Sequence, residues 1–343
     1  MNNDWKTFLE SHSASINDEG WVSFEQDAQT ADSALCDLSH LGLIRIAGKD
    51  NVDFLQGQFT NDIRELTAEQ FQLSGYCTPK GQMLANGWFF RRDNDIFLQL
   101  PASILPAVIR RLSMFVLRSE VELADAGHEL IRIGLVGGKA EEQLSSILSN
   151  VPAMPQQVVQ AEDLTVIRLP GMIPRFEMVG PEPVLKKVWA QLAENAKPTS
   201  SSYWALQDIH AGIPTVYPAT VETFIPQMVN MQLLSGISFT KGCYCGQEVV
   251  ARTQHRGTLK RRMHLAHIDG TQKPSAGDEL FSDSAEHGKS AGTVVDAQPA
   301  PDGGFDALVM VQIPCFEADD MHLQNAAGAK LEFRDLPYTF DAG

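Results

Sequence analysis

The sequence has no long apolar segment and few cysteines, and both absences restrict where the protein can work. No stretch approaches the roughly 20 consecutive apolar residues that a membrane-spanning helix needs. The N-terminus, Met1-Asn2-Asn3-Asp4-Trp5-Lys6, carries an early acid and no apolar core behind it, which is unlike a secretory signal. The five cysteines are an odd number, and only Cys243 and Cys245 are close in the sequence. We therefore expect a reduced, cytoplasmic protein that does not bind membranes.

Basic residues are also scarce. The 343 residues include 27 lysines and arginines against 43 aspartates and glutamates, which gives a formal net charge of −16. Such a surface repels phosphate backbones, so direct binding of nucleic acid is not expected. The exception is the basic segment 249–268, which has no acid and contains Arg252, Arg256, Lys260, Arg261 and Arg262, with His255 and His264. This segment is either a solvated face or a site for an anionic group.

The chain is longer than one hydrophobic core usually grows, and its hydrophobic pattern alternates between strand and helix. Strands are predicted at 43–46, 71–77, 82–90, 96–100, 131–136, 164–169 and 176–179. Helices are predicted at 50–66, 104–114, 139–148, 182–194 and from Tyr203 to Gly212, the last capped by Ser201 or Ser202. After Arg262 the pattern changes to short strands between turns, at 264–267, 291–296, 307–313 and 331–333. This order predicts an α+β fold that ends in a small all-β barrel or sandwich.

The most informative segment is a loop around two cysteines. A short apolar run ends at Lys241, and Gly242 and Gly246 then bracket Cys243 and Cys245 before a helix that begins at Gln247. Glycines at this spacing let consecutive backbone N–H groups point the same way, and a helix start adds partial positive charge. This is the environment of a reactive cysteine, although a tight turn with small thiols has the same pattern.

The loop carries a family resemblance. Its residues Lys241-Gly242-Cys243-Tyr244-Cys245-Gly246-Gln247-Glu248 match the pattern Lys-Gly-Cys-aromatic-x-Gly-Gln-Glu of the folate-binding, YgfZ-type proteins, which are related to the T-protein (aminomethyltransferase) of glycine cleavage. Further similarity lies in Phe224-Ile225-Pro226-Gln227, in Phe54–Asp62, in Tyr76-Cys77-Thr78-Pro79-Lys80-Gly81 and in Ala211-Gly212-Ile213-Pro214. The resemblance extends from about Leu41 to the C-terminus.

The resemblance implies a T-protein-like ring of three domains with a C-terminal β-barrel. With the pattern of elements, it divides the chain into five segments. These are an N-terminal extension (1–35), a first α+β unit (36–120), a second α+β unit (121–200), a return segment with the signature (201–258) and the barrel (259–343).

The resemblance also implies that the protein binds tetrahydrofolate or another reduced folate through particular residues. Trp204 falls on a tryptophan assigned to folate binding, where an indole can stack on a flat pterin. Leu41 falls on a second such tryptophan, and His210 falls on a glutamate that would pair with pterin N–H groups. Arg252 and Arg256, in the basic segment, are candidates for the glutamate tail of the folate.

Other positions depart from the family's chemistry. Aminomethyltransferases need an aspartate shortly after the hairpin glycine, and here Leu84 or Ala85 takes that place. Because neither residue can hold a proton at the folate, aminomethyl transfer is not expected. Cys245 lies at a position that varies in the family, and two thiolates do not complete a metal site, so no metal is predicted.

These observations predict a folate-binding protein that supports iron–sulfur enzymes or their assembly proteins, and thereby the thiolation or methylthiolation of tRNA. Cys243 would be its key thiol, with Lys241 beside it. A folate-dependent one-carbon transfer enzyme, similar to an aminomethyltransferase, is a first alternative. A thiol redox or metal-transfer protein, suggested by Cys245, is a second.

Overall fold

The computed structural model describes residues 1–25, 32–161, 163–256, 259–285 and 290–340. Within these ranges the helices are α1 (Asn3–Ser11), α2 (Asn51–Gln56), α3 (Leu105–Val116), α4 (Ala140–Ile147), α5 (Glu182–Leu192), α6 (Ser201–His210), α7 (Gln247–Arg256) and α8 (Ile313–Ala318). Short 3₁₀ helices lie at Ile63–Glu65, Pro218–Thr220 and Pro226–Val229.

The strands fall into two groups along the chain. The first thirteen are β1 (Ala14–Ile16), β2 (Val22–Phe24), β3 (Ala34–Asp37), β4 (Leu41–Ala47), β5 (Gln72–Cys77), β6 (Met83–Arg92), β7 (Asp95–Pro101), β8 (Glu122–Asp125), β9 (Ile131–Val136), β10 (Val158–Ala161), β11 (Leu164–Arg168), β12 (Arg175–Gly180) and β13 (Lys197–Thr199). The C-terminal six are β14 (Arg261–Ile268), β15 (Glu279–Phe281), β16 (Gly292–Pro299), β17 (Phe305–Gln312), β18 (His322–Leu323) and β19 (Leu331–Arg334).

The chain forms two compact units. The first unit comprises Met1–Leu55, Ile63–Gln72 and Gly87–Trp204, and the second comprises Gln56–Asp62, Leu73–Asn86 and Ala205–Gly343. The predicted boundaries of the five sequence segments, and the three-domain ring, stay predictions. The mixed α and β content that the sequence predicted is confirmed.

The first unit is built around a six-stranded sheet with the order β10-β11-β12-β9-β3-β13, in which only β13 and β3 pair in parallel. One face of this sheet is apolar. Ile133 and Leu135 of β9, with Phe176 and Met178 of β12, pack there against α1, α4 and α5. Helix α1 is part of this core, since Trp5 and Leu9 are fully buried in it. The periodicity of residues 1–11 was too short to predict this helix from the sequence.

The second unit contains the C-terminal sheet, in the order β18-β15-β16-β17-β14-β19. An antiparallel bridge between His322 and Lys330 joins the two ends of this order, so the sheet returns on itself around an apolar core. The β-rich C-terminal sheet that the sequence predicted is therefore confirmed, and a complete barrel stays a prediction. The unit also holds the turn between β5 and β6, at Thr78–Gly81.

Two predicted helices differ from the structure. The helix predicted over 50–66 ends at Gln56, because the backbone at Phe59 and Thr60 pairs with Tyr76 and Gly75 instead. Asp50 accepts the backbone N–H of Glu120 rather than capping this helix. Helix α6 begins at Ser201, two residues earlier than predicted, because the Ser201 hydroxyl donates to the carbonyl of Asp37 instead of capping.

Candidate functional site

The signature loop is held against the turn between β5 and β6, within the second unit. Gly246 has a φ of +86°, and a Cβ at this residue would lie 2.6 Å from the carbonyl oxygen of Thr78. Gly81 has a φ of +75°, and its Cβ would lie 2.9 Å from a side-chain carbon of Val249 in α7. Both glycines therefore permit a close approach that any side chain would prevent. Gly246 of the loop and Gly81 of the turn thus allow the two segments to pack together, whereas Gly242 lies away from the contact.

Lys241 anchors the start of the loop rather than facing solvent. Its ammonium donates to the carbonyl oxygens of Phe59 at 2.8 Å and Asn61 at 2.6 Å, and it lies 5.2 Å from the ring centroid of Tyr244. The residue is 7% exposed. The charge that the sequence placed beside Cys243 is therefore used to hold the segment 59–61 and the loop together.

Cys243 is exposed, whereas the thiols of Cys245 and Cys77 are less accessible. Gly242 has open space around the position of a Cβ, and Cys243 follows it on the outside of the loop. Cys245 is half-buried, with its backbone N–H donating to the carbonyl of Gly57 at 3.2 Å. Burial, and then the nearby Cys245, raise the pKa of the Cys77 thiol to about 12. Cys243 is thus the most accessible of these three thiols.

The rest of the signature completes the loop. The side-chain amide of Gln247 donates to the carbonyl of Gly242 at 3.4 Å, across the two cysteines. Tyr244 is buried, and burial raises its pKa above the usual range for a phenol. Glu248 is an exposed acid in the first turn of α7, where a negative charge is favourable.

Trp204 lies in the interior of the first unit. Its ring is 1% exposed, and a Cβ on Gly134 of β9 would lie 2.4 Å from two of its ring carbons. The guanidinium carbon of Arg175 is 5.5 Å from the ring centroid. A planar ligand that stacks on this indole therefore has to take the place of the Arg175 guanidinium or of another packed neighbour.

Leu41 is half-buried and is tied to the same part of β9. Its carbonyl oxygen accepts a hydrogen bond from the guanidinium of Arg132, two residues before Gly134. The structure thus brings the two positions that the resemblance assigned to folate, Leu41 and Trp204, to one strand of the first unit.

The sheet face around Trp204 is polar, and sequence reasoning missed it. Arg132, Gly134, Arg175 and Glu177 lie on this polar face, opposite the apolar core. Gln99 of β7 donates to the carboxylate of Glu177 at 3.0 Å. The signal was present in Ile131-Arg132-Ile133 and Phe176-Glu177-Met178, where charged residues interrupt apolar strands.

Some polar atoms of this face have no hydrogen-bond partner. Nε and Nη1 of Arg132 and Oε1 of Gln99 are buried in this way, in residues that are 5% and 4% exposed. Burial lowers the pKa of Arg132, while Glu177 and Asp37 favour its charged form. Buried polar groups are normally satisfied, so the polar face has unused donors and an unused acceptor.

His210 is half-buried and contacts a buried carboxylate in the second unit. Its Nε2 lies 2.7 Å from Asp306, which also contacts Nδ1 of His267 at 2.8 Å and the guanidinium of Arg334 at 3.0 Å. Burial alone would raise the pKa of Asp306, but the hydrogen bonds from the two histidines and the charge of Arg334 hold it below its usual value. A carboxylate is therefore present behind the histidine that replaces the family's glutamate.

The basic segment is only partly available to a ligand. Arg252 is exposed on α7, whereas the side chain of Arg256 lies outside the described part of the chain. Arg261 donates to the carbonyl of Ser290, and Arg262 lies 4.3 Å from the ring centroid of Phe340. Burial, and then the charge of Arg262, lower the pKa of His264 to about 4.

The turn between β5 and β6 leads into β6, which carries the two apolar residues that the resemblance set in place of an acid. Leu84 and Ala85 are both buried in β6, and Asn86 uses its side-chain amide to bind the backbone of Pro214 and Val216.

No helix among the described residues is long and apolar enough to cross a membrane. Within the same ranges, no cluster of three or more histidine, cysteine or acidic residues could hold a metal ion.

Comparisons with known proteins agree on the family. The model of the GCVT N-terminal domain matches residues 10–202. The chain is 31% identical over 305 residues to the tRNA-modifying protein YgfZ of Serratia proteamaculans (strain 568), which covers 89% of this chain and 92% of that protein. It is 32% identical, with the same coverage, to the tRNA-modifying protein YgfZ of Yersinia pseudotuberculosis serotype O:1b (strain IP 31758).

A solved structure shows the same fold at low identity. The glycine cleavage system aminomethyltransferase T from Bartonella henselae aligns with a TM-score of 0.76 and 16% identity, covering 99% of this chain and 98% of that one. At this identity the likeness concerns the fold alone. The sequence identity to the Serratia and Yersinia proteins over nine-tenths of the chain shows more: this chain belongs to the YgfZ family of tRNA-modifying proteins.

Proposed function

We propose that this protein binds a reduced folate and supports iron–sulfur enzymes that modify tRNA, with Cys243 as the thiol on which that support depends. The observation that carries the proposal is the contrast within the signature loop. Lys241 and Gly246 hold the loop firmly in place, while Cys243 is exposed at its outer side. A reactive thiol that must meet a partner protein needs this combination of a rigid support and an accessible sulfur.

Complementation tests the role of the thiol. We expect Cys243→Ala to abolish tRNA methylthiolation in a strain that lacks the native gene, and Cys245→Ala to retain most of it. The two substituted cysteines lie two positions apart in the same loop, so a substitution effect on the loop in general would appear in both variants. If Cys245→Ala is inactive and Cys243→Ala complements, Cys243 is not the key thiol.

The polar face of the first unit fits the edges of a folate heterocycle. A pterin carries ring N–H and amino donors beside a carbonyl acceptor, and the face has an acceptor in Oε1 of Gln99 and donors in Nε and Nη1 of Arg132. Leu41 and Trp204 lie at the same strand. When bound, tetrahydrofolate would supply a carrier of one-carbon groups or a reduced pterin, and these residues would bind and orient its ring.

His210, in the second unit, is a separate candidate that the family resemblance assigns to folate. With its proton on Nε2, where Asp306 accepts it, the neutral ring has an acceptor lone pair on Nδ1. This atom can take an N–H hydrogen bond that the family's glutamate would take. A glutamate at this position would repel the carboxylate of Asp306, so glutamine is the better test substitution. Because His210→Gln keeps a neutral acceptor and His210→Leu does not, we expect His210→Gln to bind tetrahydrofolate more tightly.

Titration with tetrahydrofolate tests the ligand directly. Tryptophan fluorescence and calorimetry would report binding to the wild type, to Arg132→Met and to an exposed control, Arg110→Met. Loss of binding in Arg132→Met alone supports the polar face, provided that both variants stay folded. Equal affinities in all three proteins would remove the polar face from the proposal.

The exposed Arg252 is proposed to contact the glutamate tail. Charge pairing at an exposed site is screened by salt, so polyglutamylated folate should bind more tightly than monoglutamate at low salt, with a difference that shrinks as salt rises. Arg252→Gln should reduce this difference. Equal affinities for the two folates at low salt would exclude a role of the tail.

Aminomethyl transfer is not part of the proposal. The apolar Leu84 and Ala85 are buried where the acid of aminomethyltransferases would lie. We expect no methylenetetrahydrofolate from an aminomethyl-loaded carrier protein and tetrahydrofolate. Product at enzymatic rates would make the one-carbon transfer alternative the better one.

A further inference from the structure

The signature loop meets the buried Cys77, a thiol that the proposed function does not use. A Cβ on Gly246 would lie 3.2 Å from the Cβ of Cys77 and 3.1 Å from the Cα of Gly81. Cys245 directly precedes Gly246 and, after burial, helps to raise the pKa of the Cys77 thiol. The signature loop and Cys77 of β5 are therefore neighbours.

The three thiols near this contact differ in exposure. Cys77 is 1% exposed, Cys245 is half-buried and Cys243 is exposed. Backbone hydrogen bonds hold both segments in place. The N–H of Cys245 donates to the carbonyl of Gly57, and within the turn the N–H of Gly81 donates to the carbonyl of Thr78 at 2.8 Å. A disulfide needs two cysteines on backbones that are held close together. Gly246, the residue after Cys245, lies directly against Cys77, which places the two cysteines on neighbouring segments.

We propose that Cys77 and Cys245 form a redox-reactive dithiol, which small disulfides such as glutathione disulfide convert to an intramolecular disulfide. The disulfide fastens the signature loop covalently to the turn between β5 and β6. Cys243 is not a partner in this disulfide. This inference does not depend on folate binding or on the role of Cys243 in tRNA modification.

The reaction balances in two thiol–disulfide exchanges. The Cys245 thiolate attacks one sulfur of glutathione disulfide, forming a mixed disulfide and releasing one glutathione thiolate. Cys77 then loses its proton to solvent and attacks the Cys245 sulfur, which releases the second glutathione. In total, two protein thiols are oxidised by two electrons and one glutathione disulfide is reduced to two glutathiones.

Peptide mapping of the full-length protein tests the pairing. The protein is incubated with glutathione disulfide, blocked with N-ethylmaleimide and digested with trypsin. Cys77 lies in the peptide 65–80, and Cys243 and Cys245 lie in 242–252. We expect a disulfide-linked pair of these peptides in the wild type and in Cys243→Ser, and its loss in Cys245→Ser, where residue 245 is only half-buried and the substitution is mild.

The kinetics give a second measurement. After removal of excess glutathione disulfide, the adduct at Cys245 should disappear as the linked pair forms. Because the pKa of Cys77 is about 12, its thiolate fraction, and hence the closing rate, should rise about tenfold for each pH unit between roughly pH 7 and 9. A closing rate independent of pH would contradict attack by Cys77.

Three results would overturn the inference. The linked pair could persist in Cys245→Ser, which would assign the bond to Cys243. The peptide 242–252 could instead lose two hydrogens on its own, which would indicate a Cys243–Cys245 disulfide. The glutathione adduct could also remain stable without closing, which would show that Cys77 is out of reach.

Discussion

Trp204 and Cys243 both come from the same family resemblance, but the structure gives them opposite surroundings. Trp204 is 1% exposed and packs on Gly134 and Arg175 in the first unit, whereas Cys243 is exposed on an anchored loop of the second. A substitution at Trp204 therefore changes folding and any ligand contact together. A substitution at Cys243 changes the chemistry of one accessible sulfur. Burial, rather than the assigned role, decides what each variant can show.

The largest effect is expected for Trp204→Ala. Removing a fully packed indole should lower the free energy of unfolding by about 3–5 kcal/mol. Urea unfolding followed by circular dichroism measures this change, and Trp204→Phe, which keeps an aromatic ring, is the matched control with a smaller loss. A change below about 1 kcal/mol in Trp204→Ala would mean that the ring is not packed as the structure has it, and the comparison with Cys243 would fail.

A buried acid in the C-terminal sheet extends the comparison to charge. Burial raises the pKa of Asp296 to about 6, while the charge of Lys273 and the hydrogen bond from Tyr217 favour the carboxylate. Because the folded state binds this proton more tightly than the unfolded state, the stability that Asp296 contributes is present below about pH 4 and is lost as the pH rises through about 6. Asp296→Asn should therefore raise the free energy of unfolding at pH 8 by up to about 3 kcal/mol, and by little at pH 4.

Asp306 provides the control for that experiment, because its pKa is shifted the other way. Its contribution is present above the ordinary pKa of an aspartate and is lost as the pH falls. Asp306→Asn should therefore be destabilising at both pH 8 and pH 4, and its effect should diminish only below the ordinary pKa of an aspartate. If both variants changed stability by the same amount at both pH values, burial and hydrogen bonding would not explain the two shifts.

Regular patterns in the sequence predicted the elements that are strongly periodic. The strand 131–136 was predicted with its exact bounds. The strands of the hairpin around Thr78–Gly81 and four of the six strands of the C-terminal sheet were placed to within a few residues, whereas β15 and β18 were missed. Short elements were missed, among them α1, β3 and β13, because three to nine residues carry too little periodicity. Their conformation depends on tertiary contacts, such as the burial of Trp5 in the core.

The candidate site could be predicted where a local motif sets it and not where distant strands meet. The glycines and cysteines of the signature loop are close in sequence, so their arrangement followed from spacing alone. The partners of Lys241 lie about 180 residues earlier in the chain, at Phe59 and Asn61, and no local pattern indicates them. The same is true of Asp306 behind His210 and of Cys77 beside Cys245.

A smaller effect is expected at the anchor of the loop. Lys241→Met keeps most of the aliphatic chain but removes the donor to the carbonyls of Phe59 and Asn61. The free energy of unfolding should fall by about 2 kcal/mol, since hydrogen bonds from a charged group to buried acceptors are lost. Lys241→Arg is the control that keeps the charge. If Lys241→Met were as stable as the wild type but inactive in tRNA methylthiolation, the lysine would have a chemical role rather than an anchoring one.

The smallest effect on stability is expected at Cys243, and it is the one that sharpens the comparison most. The side chain is exposed and follows a glycine with open space around it, so Cys243→Ala removes no packed atoms. Its free energy of unfolding should stay within about 0.5 kcal/mol of the wild type, as is usual for exposed positions. Urea unfolding of Cys243→Ala and of the half-buried Cys245→Ala, measured side by side, provides the test. A protein that unfolds as the wild type does and yet fails to support tRNA methylthiolation would isolate the sulfur as the cause. A loss of more than about 1 kcal/mol would instead mean that the loop depends on this side chain, and loss of function in Cys243→Ala would then no longer separate chemistry from folding.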